Sequence, residues 1–416
     1  MADHAHAGRL LLAGVLACLV GCSTVPPPGT PPARSGTPTS ATSPPPATGT
    51  PPETATGTPP APATAPDVEL HVLSGDWAQT SGPVVATDGD EVVWPSIASY
   101  SDATGPLVPD LVSFRPASGE DPHLLYRGPD RDSLIWDVAV RNGRYAFLEM
   151  NTRLLGEEGW RLWALADPNG PAVLLDERDG PQDGRPAAAF TLTDDSVIWT
   201  VVHDRQGVRT FELREASFDG SHNRARLSTP IAKRQFFYPT VDPTASTLAY
   251  ATVEHTKDGD RFRLWTLDLT RADAEPVAVP GVEDGTQPVI NGTTMAWRTI
   301  DDNVANWGKE LVVAAADGHD AQLTPQQQLT SLTRLSIGRR FIAFETIVGS
   351  DLALYDTDSH GLITIEHHAL PDTITLQRGW TVLAGDLLVF RRVDGADSDH
   401  PAPPQIVWAR LPGPGT

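Results

Sequence analysis
A triplet of two apolar residues followed by an aromatic recurs seven times in this chain. The copies are Val92-Val93-Trp94, Tyr145-Ala146-Phe147, Val197-Ile198-Trp199, Leu248-Ala249-Tyr250, Met295-Ala296-Trp297, Ile342-Ala343-Phe344 and Leu388-Val389-Phe390. Their aromatics are spaced 53, 52, 51, 47, 47 and 46 residues apart. Most copies follow a turn signal such as "TDGD", "RNGR", "TDDS" or "INGT"; the fourth uses "DPTAS". Gly, Asn and Asp supply the backbone conformations that tight hairpins demand. Adjacent apolar residues predict strands buried on both faces, as where one sheet stacks on another.

A second strand-like segment follows each triplet, among them "DLVSFRP", "VRTFELREA", "FRLWTLDL" and "PQIVWARL". A turn and a short apolar strand come next in several units, and one more strand candidate precedes each triplet. Four strands in a unit of about 40–50 residues is the pattern of a β-propeller blade. The expectation is therefore an all-β fold of seven four-stranded blades over residues 67–416. The seventh unit supplies only three strands, whereas "VELHVL" (68–73) is a lone strand with no hairpin partner. Placed as the outer strand of the last blade, it would latch the ring and remove an exposed edge. The alternative is an independent strand on an array of six or eight units.

"DGHDAQLT" (317–324) and "FDGSHNRARLST" (218–229) resemble the Asp-Gly-x-x-x-x-x-Leu-Thr strand-turn-strand of TolB-type propeller repeats. The resemblance extends loosely to all seven units and is specific in those two. It implies a propeller that binds partners or scaffolds an envelope complex, although propellers also occur in enzymes.

Catalytic signatures are missing. The sequence has no Gly-x-Ser-x-Gly elbow, Walker loop, dinucleotide fingerprint, His-Glu-x-x-His motif or sialidase-type Asp-box. No catalytic residue, metal ligand or cofactor is therefore assigned. His367 and His368 are strand neighbours that point to opposite sides. The acids at 394–399 lack fixed calcium-loop spacing, and Asn291-Gly292-Thr293, a glycosylation sequon by letter, reads as a hairpin turn. Loop lengths carry more information. Connections between second and third strands are long at 96–110, 150–160, 300–310 and 393–404, and the blade connections at 176–185 and 281–287 join them on one face of the disc. Binding residues collect on such loops. Asp301, Asp302, Trp307 and Trp160 are the candidate residues of this face, since a ring beside carboxylates suits a sugar face or a cation. Trp160 equally fits a residue that opens a buried strand.

Leu10–Val20 is an apolar run too short to cross a bilayer as a permanent helix. It suits the core of an export signal, although Arg9 is the one fixed positive charge before it and Asp3 offsets it. The run ends in Leu19-Val20-Gly21-Cys22, which resembles the bacterial lipobox. That resemblance implies cleavage after residue 21, acylation of Cys22 and anchoring on the outer face of the cytoplasmic membrane. The mature chain would then have no cysteine for a disulfide and would depend on burial for stability. Of the 44 residues at 23–66, 41 are Pro, Thr, Ala, Gly or Ser, a composition that stays extended and solvated. Such a tether reaches at most about 130 Å at ~3.1 Å per residue. Arginine outnumbers lysine 28 to 3, which resembles high-GC actinobacterial usage. Beyond residue 66 lie 29 basic and 51 acidic residues, so the folded part carries the whole net charge of −22. That charge disfavours nucleic acid and anionic lipid heads as partners. The sequence thus points to a monomeric, membrane-anchored binding or scaffold module for an envelope protein or cell-wall glycan. The competing reading is a glycosidase or lyase acting on envelope polysaccharide.

Overall fold
The computed structural model describes residues 68–73, 85–96, 110–128, 133–150, 159–178, 188–205, 207–257, 259–282, 284–299, 310–316, 322–323, 335–345, 352–366, 381–392 and 405–413. They form seven four-stranded antiparallel sheets and no helix. Blades 1 to 6 occupy 86–127, 134–178, 190–230, 234–278, 285–323 and 336–366, each with its strands in chain order. Blade 7 takes three strands from 382–410, and its fourth is His71–Val72. The first strand of every blade touches the first strand of the next, and that of blade 7 touches that of blade 1. The seven-bladed ring and its N-terminal latch are as the sequence predicts.

The triplets explain how the blades stack. All seven aromatics are at most 3% exposed. Each faces the preceding blade, while the middle residue of its triplet, one step along the strand, faces the following one. Ala146 of blade 2 thus shares a core cluster with Trp199 of blade 3, and Ala249 of blade 4 with Trp297 of blade 5. Ala296 packs in the same way with Phe344, and Ala343 with Phe390. At these four seams a large ring in one blade meets an alanine in the blade before it, so the sheets approach closely and leave few voids; Val93 and Ile198 take the same place against Phe147 and Tyr250. The pattern closes on itself: Val389 of blade 7 clusters with Trp94 of blade 1. Removing one of these rings to alanine costs about 3–5 kcal/mol in a typical core.

Turns between first and second strands form a hydrogen-bonded collar at one end of the ring. The Asp88 carboxylate accepts from the Asn142 backbone N–H at 2.9 Å, and the Asn142 amide donates to Asp194 at 2.9 Å. Arg141 pairs with Asp194 at 2.7 Å and reaches the Asp242 carbonyl of blade 4 at 3.1 Å. Asn291 donates to the Gly338 carbonyl, and the Arg339 N–H donates to that of Gly385, both at 2.8 Å. A Cβ on Gly338 would lie 2.5 Å from the Gly385 oxygen, so the turns pack too closely for any side chain there. Arg410 ties blade 7 to blade 1, donating to the Gly89 carbonyl and to Asp386, each at 2.6 Å.

Candidate functional site
With the collar fixing one face, the opposite face carries the connections between second and third strands. In blades 3 and 4 the described residues follow this connection almost to its tip. Ser196–Arg205 pairs with Val208–Ser217, and Thr247–Thr256 with Gly259–Asp268, all four strands being ten residues long. Both hairpins run six residues past the triplet aromatic (Trp199, Tyr250). At ~3.3 Å per residue, those six residues extend roughly 20 Å beyond the ring. Gly207 (φ 79°) and Gly259 (φ 121°) supply the positive φ at the two tips.

The hairpins are laced by polar pairs. On blade 4, Arg234 pairs with Glu254 and lies over the Trp265 ring, 4.6 Å from its centroid. His255 Nδ1 lies 2.7 Å from Asp260, and its Nε2 lies 2.9 Å from the Gln235 amide. On blade 3, Glu212 accepts from Arg214 at 2.7 Å, His203 Nε2 stands 3.7 Å from the same carboxylate, and Asp204 pairs with Arg209 at 3.9 Å. A carboxylate orienting a histidine is half of a nucleophile-activating arrangement. The third member here is an amide, so the His255 group presents hydrogen-bonding capacity and no nucleophile. Val208 at the blade 3 tip is 58% exposed. Residues 188–279, which include both blades, hold 11 basic and 13 acidic side chains; the rest of the folded part holds 18 and 38. The projecting sector is close to neutral on an otherwise strongly acidic disc.

On the collar face, a cleft of about 560 Å³ lies between the turns of blades 3 and 4, lined by Asp194, Asp195, Glu215, His222 and Arg224 among others. Its acids are already neutralised within the chain. Burial pushes the Glu215 carboxyl up, but hydrogen bonds from Arg226 and Arg224 outweigh it and hold the group below its usual range. Arg141 takes Asp194, and Arg144 takes Asp195 at 3.1 Å. No group of three or more His, Cys, Asp or Glu side chains among the described residues could hold a metal ion.

Trp160 opens the third strand of blade 2 (Trp160–Leu165) and is 2% exposed within the core shared with blade 3. That is its buried-strand alternative; the ring is not presented to solvent. Asp301, Asp302, Trp307 and Cys22 lie outside the described residues, as do His367, His368 and the acids at 394–399. Asn291 makes the expected turn: its Oδ1 accepts from the Thr294 N–H at 2.9 Å. The long hairpins of blades 3 and 4 escape a search for long loops because their connections are short. The available signal was two β segments with only "QG" or "KD" between them.

The sequence matches no protein-family model and no curated protein. Solved structures resemble it in fold. A prolyl endopeptidase aligns with a TM-score of 0.52 at 12% identity, covering 78% of this chain and 48% of its own. The acylaminoacyl peptidase of Pyrococcus horikoshii gives 0.52 at 8%, covering 80% and 52%. This chain therefore spans about half the length of those two proteins. The β-propeller domain of the trilobed protease from Pyrococcus furiosus, described as having an open velcro topology, gives 0.52 at 8% identity and covers 80% and 93%. At such identities the likeness is one of architecture alone: this chain carries a β-propeller.

Proposed function
We propose that this protein is a lipid-anchored binding module on the outer face of the cytoplasmic membrane, meeting an envelope protein or cell-wall glycan through the face opposite the collar. The projection of the two hairpins from that face carries the reading. A rigid ring holds them, and their near-neutral charge lets them approach an anionic envelope surface that the other blades repel. The Leu19–Cys22 motif and the Pro/Thr tract support the address. They place an anchor and a long spacer ahead of a domain whose recognition surface stands clear of its scaffold.

The test is capture from a solubilised envelope extract with three proteins. These are the wild type, a variant with residues 204–209 and 255–260 each replaced by Asn-Gly, and a variant carrying Asp301→Ala, Asp302→Ala and Trp307→Ala. Loss of a captured partner, by about tenfold or more, in either variant with an unchanged unfolding midpoint supports the reading. Equal capture by all three removes the binding function from this face. Release of soluble fragments from purified cell-wall glycan by the wild type would put catalysis in place of binding.

A further inference from the structure
Arg391 follows the aromatic of the blade 7 triplet and lies opposite Ile406 of the third strand. Alternation along Leu387–Arg392 turns it to the same side as Val389, toward blade 1, where Val389 packs with Val85, Val92 and Trp94. Its Nε is buried and has no hydrogen-bond partner. Among the described residues no carboxylate forms an ion pair with it. Asp110, the buried acid at the same end of blade 1, is held by Arg127 in a two-pronged pair at 3.0 and 3.2 Å. Burial alone pushes the Arg391 guanidinium down to about 10, which still leaves it charged at neutral pH.

Arg391 is half-buried with its Nε enclosed, and a guanidinium partly withdrawn from water without a counter-charge is costly, because such charges are ordinarily paired. The chain does not lack acids: 51 stand against 29 bases beyond residue 66. Nor does the fold require an arginine there: the same position holds Pro95, Leu148, Thr200 and Ala251 in blades 1 to 4 and Glu345 in blade 6, while blade 5 has a second arginine, Arg298. We propose that Arg391 is the recognition residue of an oxyanion site at the seam of blades 7 and 1, next to the proposed binding face, and that its ligand supplies a carboxylate or phosphate group. The planar fork of a guanidinium matches both groups. This deepens the binding proposal by giving the chemistry of the partner, and it rests on that reading only for which molecule carries the oxyanion.

Purified full-length protein, titrated at constant ionic strength with sodium phosphate or sodium glucuronate, tests the site without any partner. Calorimetric heat and the thermal midpoint are read for wild type, Arg391→Met and Arg391→Gln. The expected result is saturable binding of at least one probe by the wild type, a midpoint that rises with it, and affinity lowered about tenfold or more in both variants. Without anion, R391M should melt no lower than wild type, because a methionine fills similar volume without a charge. Binding of phosphate alone or glucuronate alone identifies which oxyanion the seam prefers. A wild type that binds neither probe overturns the site, as does equal binding by a folded variant. Should R391M fail to fold, the glutamine variant decides. Envelope capture can fail while this titration succeeds, so the two ideas fall separately.

Discussion
Two buried tyrosines in the blade cores are treated in opposite ways. The Tyr145 hydroxyl lies 3.0 Å from each oxygen of Glu91, crossing from blade 2 to blade 1, and Arg115 stands 3.5 Å from the same carboxylate. Burial, then the Glu91 charge and hydrogen bond, raise the Tyr145 phenol well above its ordinary value, so it remains a donor. The Tyr250 hydroxyl is buried without a partner, and burial raises it as well. Tyr145→Phe should cost about 1–3 kcal/mol, because the buried Glu91 loses its donor. Tyr250→Phe should be neutral or stabilise by up to about 1 kcal/mol, because only an orphan polar group is removed. Urea unfolding with unchanged slope compares them, and equal losses would contradict this account. The alkaline sign is also fixed. A raised phenol contributes stability below about pH 10 and loses it as pH climbs through the folded value. Tyr250→Phe should therefore hold its stability further into alkali than the wild type.

The latch joins the two ends of the ring with very little strand. His71 and Val72 lie opposite Trp408 and Val407, and the Leu73 N–H donates to the Ile406 carbonyl at 2.9 Å. Side chains supply the rest of the grip. The His71 ring stacks on Trp408 at 4.2 Å, Leu73 enters the core between blades 7 and 1, and Val68 and Leu70 pack on the core between blades 6 and 7. Deleting residues 68–73 should expose the outer edge of blade 7, lower the unfolding midpoint and promote self-association; light scattering and thermal unfolding measure both. An unaltered, monomeric deletion protein would mean that the ring closes without the latch. This strand was legible in the sequence because seven triplets demand 28 strands and the last unit is one short. Blade number was legible for a related reason: burial on both faces forces two adjacent apolar positions in every second strand. The collar was not legible. Asp194, Asn142 and Arg141 read as ordinary turn and strand-end residues, and their partners sit about 50 and 100 positions away. Trp160 was ambiguous because a tryptophan at a loop-to-strand junction has the same letters whether its ring turns in or out.

The whole molecule is a stiff ring with a strongly acidic composition. Collar and latch fix the geometry of the ring, the net charge of −22 keeps it from condensing on anionic surfaces, and the near-neutral sector carries the two long hairpins. In the proposed reading an anchor holds the disc near the envelope, because its own charge repels membrane lipid. Within the proposed function, that anchor is Cys22. One acyl chain gives marginal, reversible attachment, whereas two or more hold firmly, and the lipobox resemblance implies a diacylated cysteine. Cys22→Ala should therefore move the protein from the membrane fraction to the soluble envelope fraction, or leave it unprocessed with its signal attached. The propeller itself should melt at the same temperature in both forms, because the tether at 23–66 separates the anchor from the ring. Fractionation with N-terminal mass measurement distinguishes these outcomes. Membrane retention equal to wild type, together with a normally processed N-terminus, would show that something other than the Cys22 lipid holds this acidic propeller at the membrane.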